Sequence, residues 1–373
     1  MNIGIITYHR AENYGSVLQA YALNKYIKNI NSKFHVETID YYNETQEKMY
    51  NLFQSNSSIM NIIRNIHTLL NIKALKNKKK AFKKFISIHI SLSETIGNDT
   101  NKLKQYAQKY DICICGSDQI WNPDYNIPAF FLNFGRKDCR KIIYAASIGK
   151  GQLSGLERKT YSKLLEFPDY ISVREDSAQK LISSITEKNV ELVLDPTLLH
   201  QQEYWMKKAD DSSLNHRNYI FCYFLNLTDE KVKSANDFAR KNNCEIIAIP
   251  YLHNEVEEYT EKLEGKILSE VNPADFLNLI RNAEAIITDS FHATVFSIIF
   301  KKNFWCFGRN VGTYNMNTRL HTLLGYVEMQ DRLIEPNDLK NKMHCTHVDI
   351  DLHNLKMKQN ESIAFLSNAL EIS

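Results

Sequence analysis

Short apolar segments rich in β-branched residues alternate with helix-like segments along almost the whole chain. The first unit has a buried strand at 2–8, a helix from about 16 to 30 and a second strand at 35–42. Two neighbouring strands joined by a helix form a parallel pair with a right-handed crossover. This alternation predicts a doubly wound α/β fold and excludes an all-helical or an all-β protein.

The alternation is interrupted at two places, and 373 residues are enough for two domains. Residues 51–92 are helical in pattern and rich in lysine, which predicts a helical insertion, and the polar segment 198–217 marks a boundary. We therefore predict two Rossmann-like domains with a cleft between them. They are an N-terminal domain over 1–200 and a C-terminal domain over 215–345, followed by a closing helix over 351–373.

Composition narrows the class of protein further. The hydrophobic share of 43% and the charged share of 24% are typical of a globular chain, and a net charge of +3 gives no argument for a nucleic-acid partner. The seven cysteines include no C-x-x-C pair, which favours free thiols in a reducing cytoplasm. In the segment His344–His347 the ligand types are too close together for an ordinary zinc site, so no metal is predicted.

The N-terminal apolar run is short and lacks a basic flank, and no apolar stretch reaches the length of a membrane helix. We therefore expect a cytoplasmic protein. The lysine run at 73–84, interleaved with Leu75, Phe82 and Phe85, suggests a peripheral contact with anionic lipid at the inner face of the membrane. A solvated helix face explains the same run at least as well.

The loop after the first predicted strand, Thr7–Ser16, joins a strand to a helix. Gly15 lets the backbone approach a ligand, and Ser16 is expected to cap the helix. Helix N-termini attract anions and sugar hydroxyls, so this loop is a candidate binding site. An ordinary capped turn is the alternative.

A second loop, Gly116–Pro123, also follows a predicted strand. Trp121 offers a flat apolar face for a sugar ring, while Asp118 and Asn122 can hydrogen-bond to hydroxyls. The pattern is typical of a sugar site, and an Asx turn with a buried tryptophan is the alternative. Because both loops leave the carboxyl ends of parallel strands, we expect them to face the cleft together.

Two further segments point to an anion. Arg174 ends a predicted strand, where a guanidinium suits bidentate capture of a carboxylate or phosphate, although an ion pair with Glu175 or Asp176 explains it as well. In the segment 286–296 an apolar strand ends at Thr288, and Asp289 or Ser290 is expected to cap a helix. His292 then lies in the first turn of that helix. Backbone N–H groups, a hydroxyl and an imidazole thus converge, as a phosphate site requires.

Taken in order from about residue 3 to residue 334, these blocks resemble the polysaccharide pyruvyl transferase family. The matching segments are 4–8, 13–16, 18–22, 116–123, 144–149, 172–175, 194–197 and 288–292. The resemblance implies a fold like the GT-B glycosyltransferases, phosphoenolpyruvate as donor and co-substrate without a further cofactor, and a glycan or lipid-linked oligosaccharide as acceptor. It also implies that a basic residue matching Arg174 and an Arg-x-His stretch hold the donor. Here Ser290 occupies the arginine's position before His292, so Arg319 is our candidate substitute, while Arg309 is interpreted as a surface residue.

The expected reaction is formation of a pyruvate ketal. It requires a proton for the donor's methylene carbon, a base for the sugar hydroxyls and support for the leaving phosphate. We assign catalysis to His292 and Asp118, with His9 as the next candidate base. Donor binding is assigned to Arg174, Ser290, His292 and Arg319, and acceptor binding to Asn13, Tyr14, Gly15, Ser16, Ser117, Asp118, Trp121 and Asn122.

Two alternative functions stay open on the sequence alone. One is a nucleotide-sugar glycosyltransferase of the same architecture, which would need a pocket for a base and a ribose. The other is a catalytically silent glycan-binding relative, which the missing arginine before His292 makes plausible.

Overall fold

The computed structural model describes residues 1–42, 52–53, 65–66, 68–69, 71–125, 127–252, 255–311, 314–315, 317–342 and 348–371. The segment His344–His347 and most of the first half of the predicted insertion lie outside these residues.

The N-terminal domain is built on a seven-stranded sheet in which every paired neighbour is parallel. Its strands are β1 (Asn2–Ile6), β2 (His35–Tyr41), β3 (Leu92–Gly97), β4 (Ile112–Asp118), β5 (Arg140–Ala146), β6 (Tyr170–Val173) and β7 (Val190–Leu192). They lie in the order β3-β2-β1-β4-β5-β6-β7. The helices of this part are α1 (Tyr14–Ile30), α2 (Ile72–His89), α3 (Thr100–Tyr106), α4 (Gly155–Leu164), α5 (Asp176–Ser183) and α6 (Gln202–Ala209).

The C-terminal domain repeats this design with six parallel strands. They are β8 (Tyr219–Tyr223), β9 (Glu245–Ala248), β10 (Gly265–Ile267), β11 (Ala285–Thr288), β12 (Asn303–Phe307) and β15 (Leu333–Ile334), in the order β10-β9-β8-β11-β12-β15. A separate antiparallel pair is formed by β13 (Asn310–Val311) and β14 (Tyr314–Asn315). The helices are α7 (Asp229–Lys241), α8 (Val256–Lys262), α9 (Pro273–Asn282), α10 (Phe291–Ile299), α11 (Thr318–Tyr326) and α12 (His353–Ala369). Two doubly wound domains are thus confirmed.

The central strands are apolar on both faces because helices cover both sides of each sheet. In β4, Ile112 and Ile114 face one hydrophobic cluster, whereas Cys113 and Cys115 face the other. The cysteines within the described part of the chain are free, as predicted.

The two domains meet through an apolar interface centred on the start of α1. The ring of Tyr14 stacks on Phe276 with centroids 4.7 Å apart, and its hydroxyl donates to the carbonyl of Val271 at 3.0 Å. One hydrophobic cluster continues from α1 through Phe276 to Phe296 of α10. A large apolar contact of this kind limits relative movement of the domains.

Helix α2 is part of this junction, which corrects the expected role of its apolar residues. Phe82 contacts the ring of Tyr14 at 4.9 Å, and Leu75 and Phe85 are also buried. Lys78 is buried as well and donates to the carbonyl of Pro250 at 3.2 Å. These apolar side chains therefore belong to the core and do not face a lipid surface. Within the described ranges, no helix combines the length and the apolar character that crossing a bilayer requires.

Helix α12 returns from the C-terminal domain to the N-terminal one. Phe365 and Leu366 join the cluster that contains Ile3 of β1, and Ser362 accepts a hydrogen bond from the amide of Leu194 at 2.9 Å. The last helix therefore closes over the first domain.

Candidate active site

The candidate site lies where the switch points of the two sheets face each other. In the first sheet the strand order reverses between β1 and β4, and in the second between β8 and β11. Ligands of doubly wound domains bind outside the carboxyl ends of the strands at such points. The loops predicted from the sequence follow β1, β4 and β11, so the topology brings them together.

The start of α1 forms one wall. Asn13 caps this helix by accepting from the amide of Ser16 at 3.2 Å, so the cap is not Ser16 as we expected. The helix begins two residues earlier than predicted, which frees the Ser16 hydroxyl to donate to Asp118 Oδ2 at 2.5 Å. Gln19 then ties the loops together, donating to Thr7 Oγ1 and accepting from the amide of Ser117, both at 2.9 Å.

A network of buried charges follows from the ends of β4 and β6. Arg174 donates through Nη2 to Asp118 Oδ1 at 3.1 Å and through Nη1 to Asp195 Oδ2 at 2.5 Å. Burial alone would raise the pKa of Asp118, but Arg174 and His292 outweigh it and hold that pKa below the usual value. Asp118 is therefore ionised near neutral pH, in a strained backbone conformation with φ of 73° that is often found at functional sites.

Asp195 is a buried carboxylate of the candidate site that the sequence reasoning did not name as a site residue. Its side chain has no exposed surface, and Thr197 donates to its second oxygen through the amide and the hydroxyl at 3.0 and 2.7 Å. Burial would raise the pKa of Asp195, but the neighbouring His292 and Arg174 hold it well below its ordinary range. The segment 194–197, which matches the family and contains Asp195, could have indicated this residue.

His292 reaches the N-terminal domain across the interface. Ser290 caps α10 by accepting from the amide of Ala293 at 3.4 Å, which places the histidine in the first turn. The buried Nε2 lies 3.5 Å from Asp195 Oδ2 and makes no hydrogen bond to a described residue. Nδ1 faces Gly15, where an added Cβ would lie only 2.1 Å away. Gly15 is thus required for the approach of the two helix N-termini.

Arg319, in the first turn of α11, completes the site from the C-terminal domain. Its guanidinium is buried and forms no salt bridge with any residue that the structure describes. It lies over the ring of Phe291, as does Arg174, at 5.6 and 4.7 Å from the centroid. When the amide oxygen of Gln119 is turned towards it, that oxygen accepts from Arg319 at 2.9 and 3.1 Å. Burial and the nearby Arg174 lower the pKa of Arg319 to about 10.

Glu175 lies next to this cationic group and is fully buried. Its Oε1 accepts from the hydroxyl of Ser147 at 2.9 Å and from the amide of Ile148 at 3.1 Å. Its Oε2 has no hydrogen-bond partner in the described part of the chain. The alternative interpretation of Arg174, an ion pair with Glu175 or Asp176, is wrong in its partners, because Arg174 pairs with Asp118 and Asp195. Asp176 instead pairs with Lys180 at 2.6 Å.

The structure separates the predicted acceptor residues into two groups. Asn13, Gly15, Ser16 and Asp118 lie at the site. Trp121 does not offer a face to a sugar, because it has no exposed surface, its ring stacks on Phe131 at 4.9 Å and its Nε1 donates to a carbonyl.

The side chains of the remaining three predicted acceptor residues also make their contacts within the protein. The Tyr14 side chain is buried in the domain interface, and the Ser117 hydroxyl donates to the carbonyl of Ala145 at 2.7 Å. Asn122 accepts from the amide of Asp124 at 3.0 Å in the Asx turn that was the alternative interpretation. These residues shape the loops and do not present polar groups to a ligand.

His9, the next candidate for the base, also has both ring nitrogens in contact with other residues of the protein. It is 1% exposed, and its two ring nitrogens face the carbonyl of Thr7 at 3.1 Å and Asp40 Oδ1 at 2.9 Å. Across the described ranges, no cluster of three or more His, Cys, Asp or Glu side chains is arranged to hold a metal ion.

These features define the class of protein. Two doubly wound domains that meet at their switch points, closed by a helix that returns to the first domain, form a GT-B-like enzyme fold. The family model for polysaccharide pyruvyl transferases matches residues 13–310, and the chain belongs to this family of transferases. A comparison with curated protein sequences finds no significant match.

Solved structures with this fold are distant in sequence. The chain is similar to a putative UDP-N-acetylglucosamine 2-epimerase from Listeria monocytogenes, with a TM-score of 0.52 and 10% identity over 100% of this chain and 97% of that one. S. aureus MnaA, solved with UDP, gives 0.52 and 9% over 100% and 97%. The UDP-GlcNAc 2-epimerase from Neisseria meningitidis, bound to UDP-GlcNAc, gives 0.50 and 9% over 100% of both chains. At these identities the likeness establishes the fold alone.

Proposed function

We propose that the protein transfers a pyruvyl group from phosphoenolpyruvate to a sugar of a cell-surface polysaccharide or its lipid-linked precursor, forming a pyruvate ketal. Membership of the family supports this activity. The observation that carries it is Arg319, a buried guanidinium that forms no salt bridge in the described part of the chain, on the same side of the cleft as His292.

The Glu175 and Asp118 carboxylates lie near enough to raise the pKa of Arg319, but neither forms a salt bridge with it. A buried cation whose contacts are incomplete is costly, so an anionic ligand suits this position. Phosphoenolpyruvate carries a carboxylate and a phosphate. Arg319 suits one of them in bidentate geometry, and the amide groups at the start of α10 suit the other. Arg174 is already held by Asp118 and Asp195, so we assign it to positioning these carboxylates more than to direct capture of the donor.

The reaction needs an acid at the donor's methylene carbon. His292 is our candidate for delivering this proton, because it lies in the first turn of α10 and its Nε2 makes no hydrogen bond to a described residue. Protonation of the methylene carbon gives a cation at the central carbon, which one sugar hydroxyl attacks. The phosphate then leaves with its bonding electrons, and a second hydroxyl closes the ketal.

Asp118 is our candidate for accepting a proton from a sugar hydroxyl. Its depressed pKa keeps it ionised, and the contacts with Ser16 and Arg174 fix its orientation. Each turnover converts one phosphoenolpyruvate and one diol into one ketal and one inorganic phosphate. The enol phosphate brings its own leaving group, so the proposed chemistry requires no resident cofactor. Phosphoenolpyruvate is a cytoplasmic metabolite, which fits a reaction at the inner side of the membrane.

The donor is tested by calorimetry with phosphoenolpyruvate. Arg319→Met should weaken binding by about 1.5–3 kcal/mol, which is about 10- to 100-fold in Kd, because it removes a charge-assisted contact. Arg217→Gln, an exposed arginine outside the site, is the matched control and should bind as the wild type does. Equal affinity in the Arg319 variant and the control would contradict the proposal.

A nucleotide-sugar glycosyltransferase is the second candidate function, because two of the structural neighbours were solved with UDP or UDP-GlcNAc. The same calorimeter separates the candidates. Binding of UDP without binding of phosphoenolpyruvate would favour a nucleotide-sugar enzyme. Binding of phosphoenolpyruvate without phosphate release on addition of acceptor would favour a silent relative.

A further inference from the structure

A cavity of about 410 Å³ lies beside the site, at the carboxyl ends of β1 and β2. The loop after β1, the end of β2 and one face of α2 form its walls. Its volume falls in the range of about 300–1,000 Å³ that is usual for small-molecule sites. It is lined by none of the residues predicted from the sequence to bind donor or acceptor.

The walls suit a sugar ring. Apolar and aromatic side chains form much of the surface, namely Tyr41, Phe82, Ile86, Leu92 and Phe130. Flat apolar faces of this kind pack against the C–H faces of a pyranose and leave its hydroxyls to polar groups. The cavity therefore has the surface that we expected, wrongly, from Trp121.

The described residues of the lining carry more positive than negative side chains. Three cationic side chains, Arg10, Lys79 and Lys83, stand against two carboxylates, Glu12 and Asp40. Arg10 binds Asp40 through two contacts of 2.6 Å, and Lys79 lies 3.4 Å from Glu12. Lys83, on the rim, forms no salt bridge within the described part of the chain. Among the described lining residues, Lys83 is therefore the cation that we assign to a ligand.

Asp40 cannot itself serve as a polar group for the ligand. Besides Arg10, it accepts from Thr95 at 2.8 Å and contacts His9 Nε2 at 2.9 Å, so both of its oxygens are in use. Burial would raise the pKa of Asp40, but these hydrogen bonds hold it well below its ordinary value. Asp40 therefore fixes the guanidinium of Arg10 in the wall.

Tyr8 supplies an unused donor. Its side chain is buried in the wall, with its ring 4.9 Å from that of Phe130, and its hydroxyl makes no hydrogen bond to any described residue. Burial, followed by the nearby Tyr125 and Asp118, raises its pKa well above the usual value, so the phenol keeps its proton. A buried hydroxyl without a partner is rare and costly, which points to a ligand oxygen as acceptor.

The cavity adjoins the reaction centre. Thr7 lines the cavity, and its hydroxyl contacts the carbonyl of Ser117 at 3.5 Å, immediately before Asp118. Gln19 joins the same two residues by further hydrogen bonds. The wall of the cavity is thus hydrogen-bonded to the strand end that carries Asp118.

We propose that this cavity binds the acceptor and that the acceptor sugar carries an oxyanion, a phosphate or a carboxylate, which pairs with Lys83 while a ligand oxygen accepts from Tyr8. The identity of the ligand as an acceptor rests on the proposed function. The location and the anionic preference rest on the cavity itself.

The test is calorimetry on the full chain with three monosaccharide probes: α-D-glucose 1-phosphate, D-glucuronate and methyl α-D-glucoside. Each titration is run with and without phosphoenolpyruvate, so that binding at the donor side is recognised by competition. At least one anionic probe should bind about tenfold or more tightly than the neutral one, as one charge-assisted contact provides. A preference for the phosphate or the carboxylate identifies the source of the oxyanion. Equal or absent binding of all three probes would overturn the proposal.

Variants locate the binding. Lys83→Ala and Tyr8→Phe should each weaken the preferred anionic probe by about tenfold. Lys84→Ala is the matched control, since it removes an exposed lysine of the same helix outside the cavity and should bind as the wild type does. If Lys83→Ala and Lys84→Ala behave alike, the cavity is not the site.

The donor titration separates this inference from the proposed function. Lys83→Ala should leave the affinity for phosphoenolpyruvate unchanged. If the protein binds an anionic sugar through Lys83 but does not bind phosphoenolpyruvate, the cavity site stands and the proposed donor is wrong. If the protein turns over phosphoenolpyruvate but its sugar binding does not depend on Lys83, the proposed donor stands and the cavity site is wrong.

Discussion

The two sheets place an aspartate at the same topological position and use it in different ways. Asp289 follows β11 at the switch point of the second sheet, as Asp118 ends β4 at that of the first. Asp289 accepts from the amides of Leu225 and Asn226 at 2.6 and 3.2 Å and from Lys231 Nζ at 2.7 Å. All of its partners belong to its own domain, and its side chain has no exposed surface.

Asp118 depends on both domains. Ser16 and Arg174 hold it from its own side, while His292 lowers its pKa from the other. Asp289 thus closes its switch point internally, whereas the switch point of Asp118 is completed by the facing domain. We infer that a polar group at a switch point can take part in chemistry only if its own domain does not supply all of its contacts. Asp118 meets this condition and Asp289 does not.

The largest expected effect in this comparison is on stability. Asp289→Asn leaves the buried charge of Lys231 without a carboxylate, and the free energy of unfolding should fall by about 3–5 kcal/mol in urea denaturation. The double variant Lys231→Met/Asp289→Asn removes the stranded charge and should recover part of that loss. A single variant as stable as the wild type would show that Asp289 is not a structural clamp.

Asp118→Asn should affect turnover more than stability. Arg174 keeps Asp195 as partner, so stability should fall less than in Asp289→Asn. Turnover should drop by about 100-fold if Asp118 accepts the hydroxyl proton. The measurement is phosphate release from phosphoenolpyruvate with the organism's surface polysaccharide fraction as acceptor. Near-normal turnover would place the base elsewhere.

The contact between the domains is tested at Gly15. Gly15→Ala puts a methyl group within 2.1 Å of His292 Nδ1, and overpacking of this kind costs about 1–3 kcal/mol. Because the histidine must move, the affinity for phosphoenolpyruvate should fall together with the thermal stability. Gly151→Ala, where the added methyl group meets open space, is the control. Equal behaviour of the two variants would mean that His292 does not depend on the approach of α1.

The smallest effect is the pH dependence of stability at Asp118. Its pKa is lower in the folded protein than in the unfolded chain, so its stabilising contribution is present above about pH 4 and is lost as the pH falls through the folded pKa. The difference in unfolding free energy between the wild type and Asp118→Asn should therefore shrink below about pH 4. A difference that is constant with pH would mean that Asp118 gains nothing from its charge.

Local patterns predicted the fold because each parallel strand is a short apolar run bounded by polar residues. β1 and β2 lie within the strands predicted at 2–8 and 35–42, and the strand ends carry the predicted loops. The strand β3 was missed because its sequence, Leu92–Gly97, is polar and half exposed at the edge of the sheet. Periodicity identified α2 as a helix, but the same apolar spacing fits a core and a membrane surface.

The candidate site could be predicted only in part, because sequence separation hides its partners. Arg174 was predicted to bind the donor, with an ion pair to its neighbours Glu175 or Asp176 as the alternative, whereas the fold pairs it with Asp118 and Asp195 from two other strand ends. Trp121 was expected to face the cleft. The sequence alone does not distinguish a tryptophan that faces a ligand from one that packs in the core, as Trp121 does on Phe131. The cavity near Tyr8 depends on α2, whose packing no local pattern revealed.

The proposed reaction builds a ketal from phosphoenolpyruvate. Its most direct test is mass spectrometry of the surface polysaccharide fraction after incubation with the protein and isotopically labelled phosphoenolpyruvate. We expect a labelled product heavier by one pyruvate less one water, with one phosphate released per ketal, and much less of this product with Arg319→Met. Unlabelled polysaccharide in the presence of a wild-type protein that binds its donor would refute ketal formation.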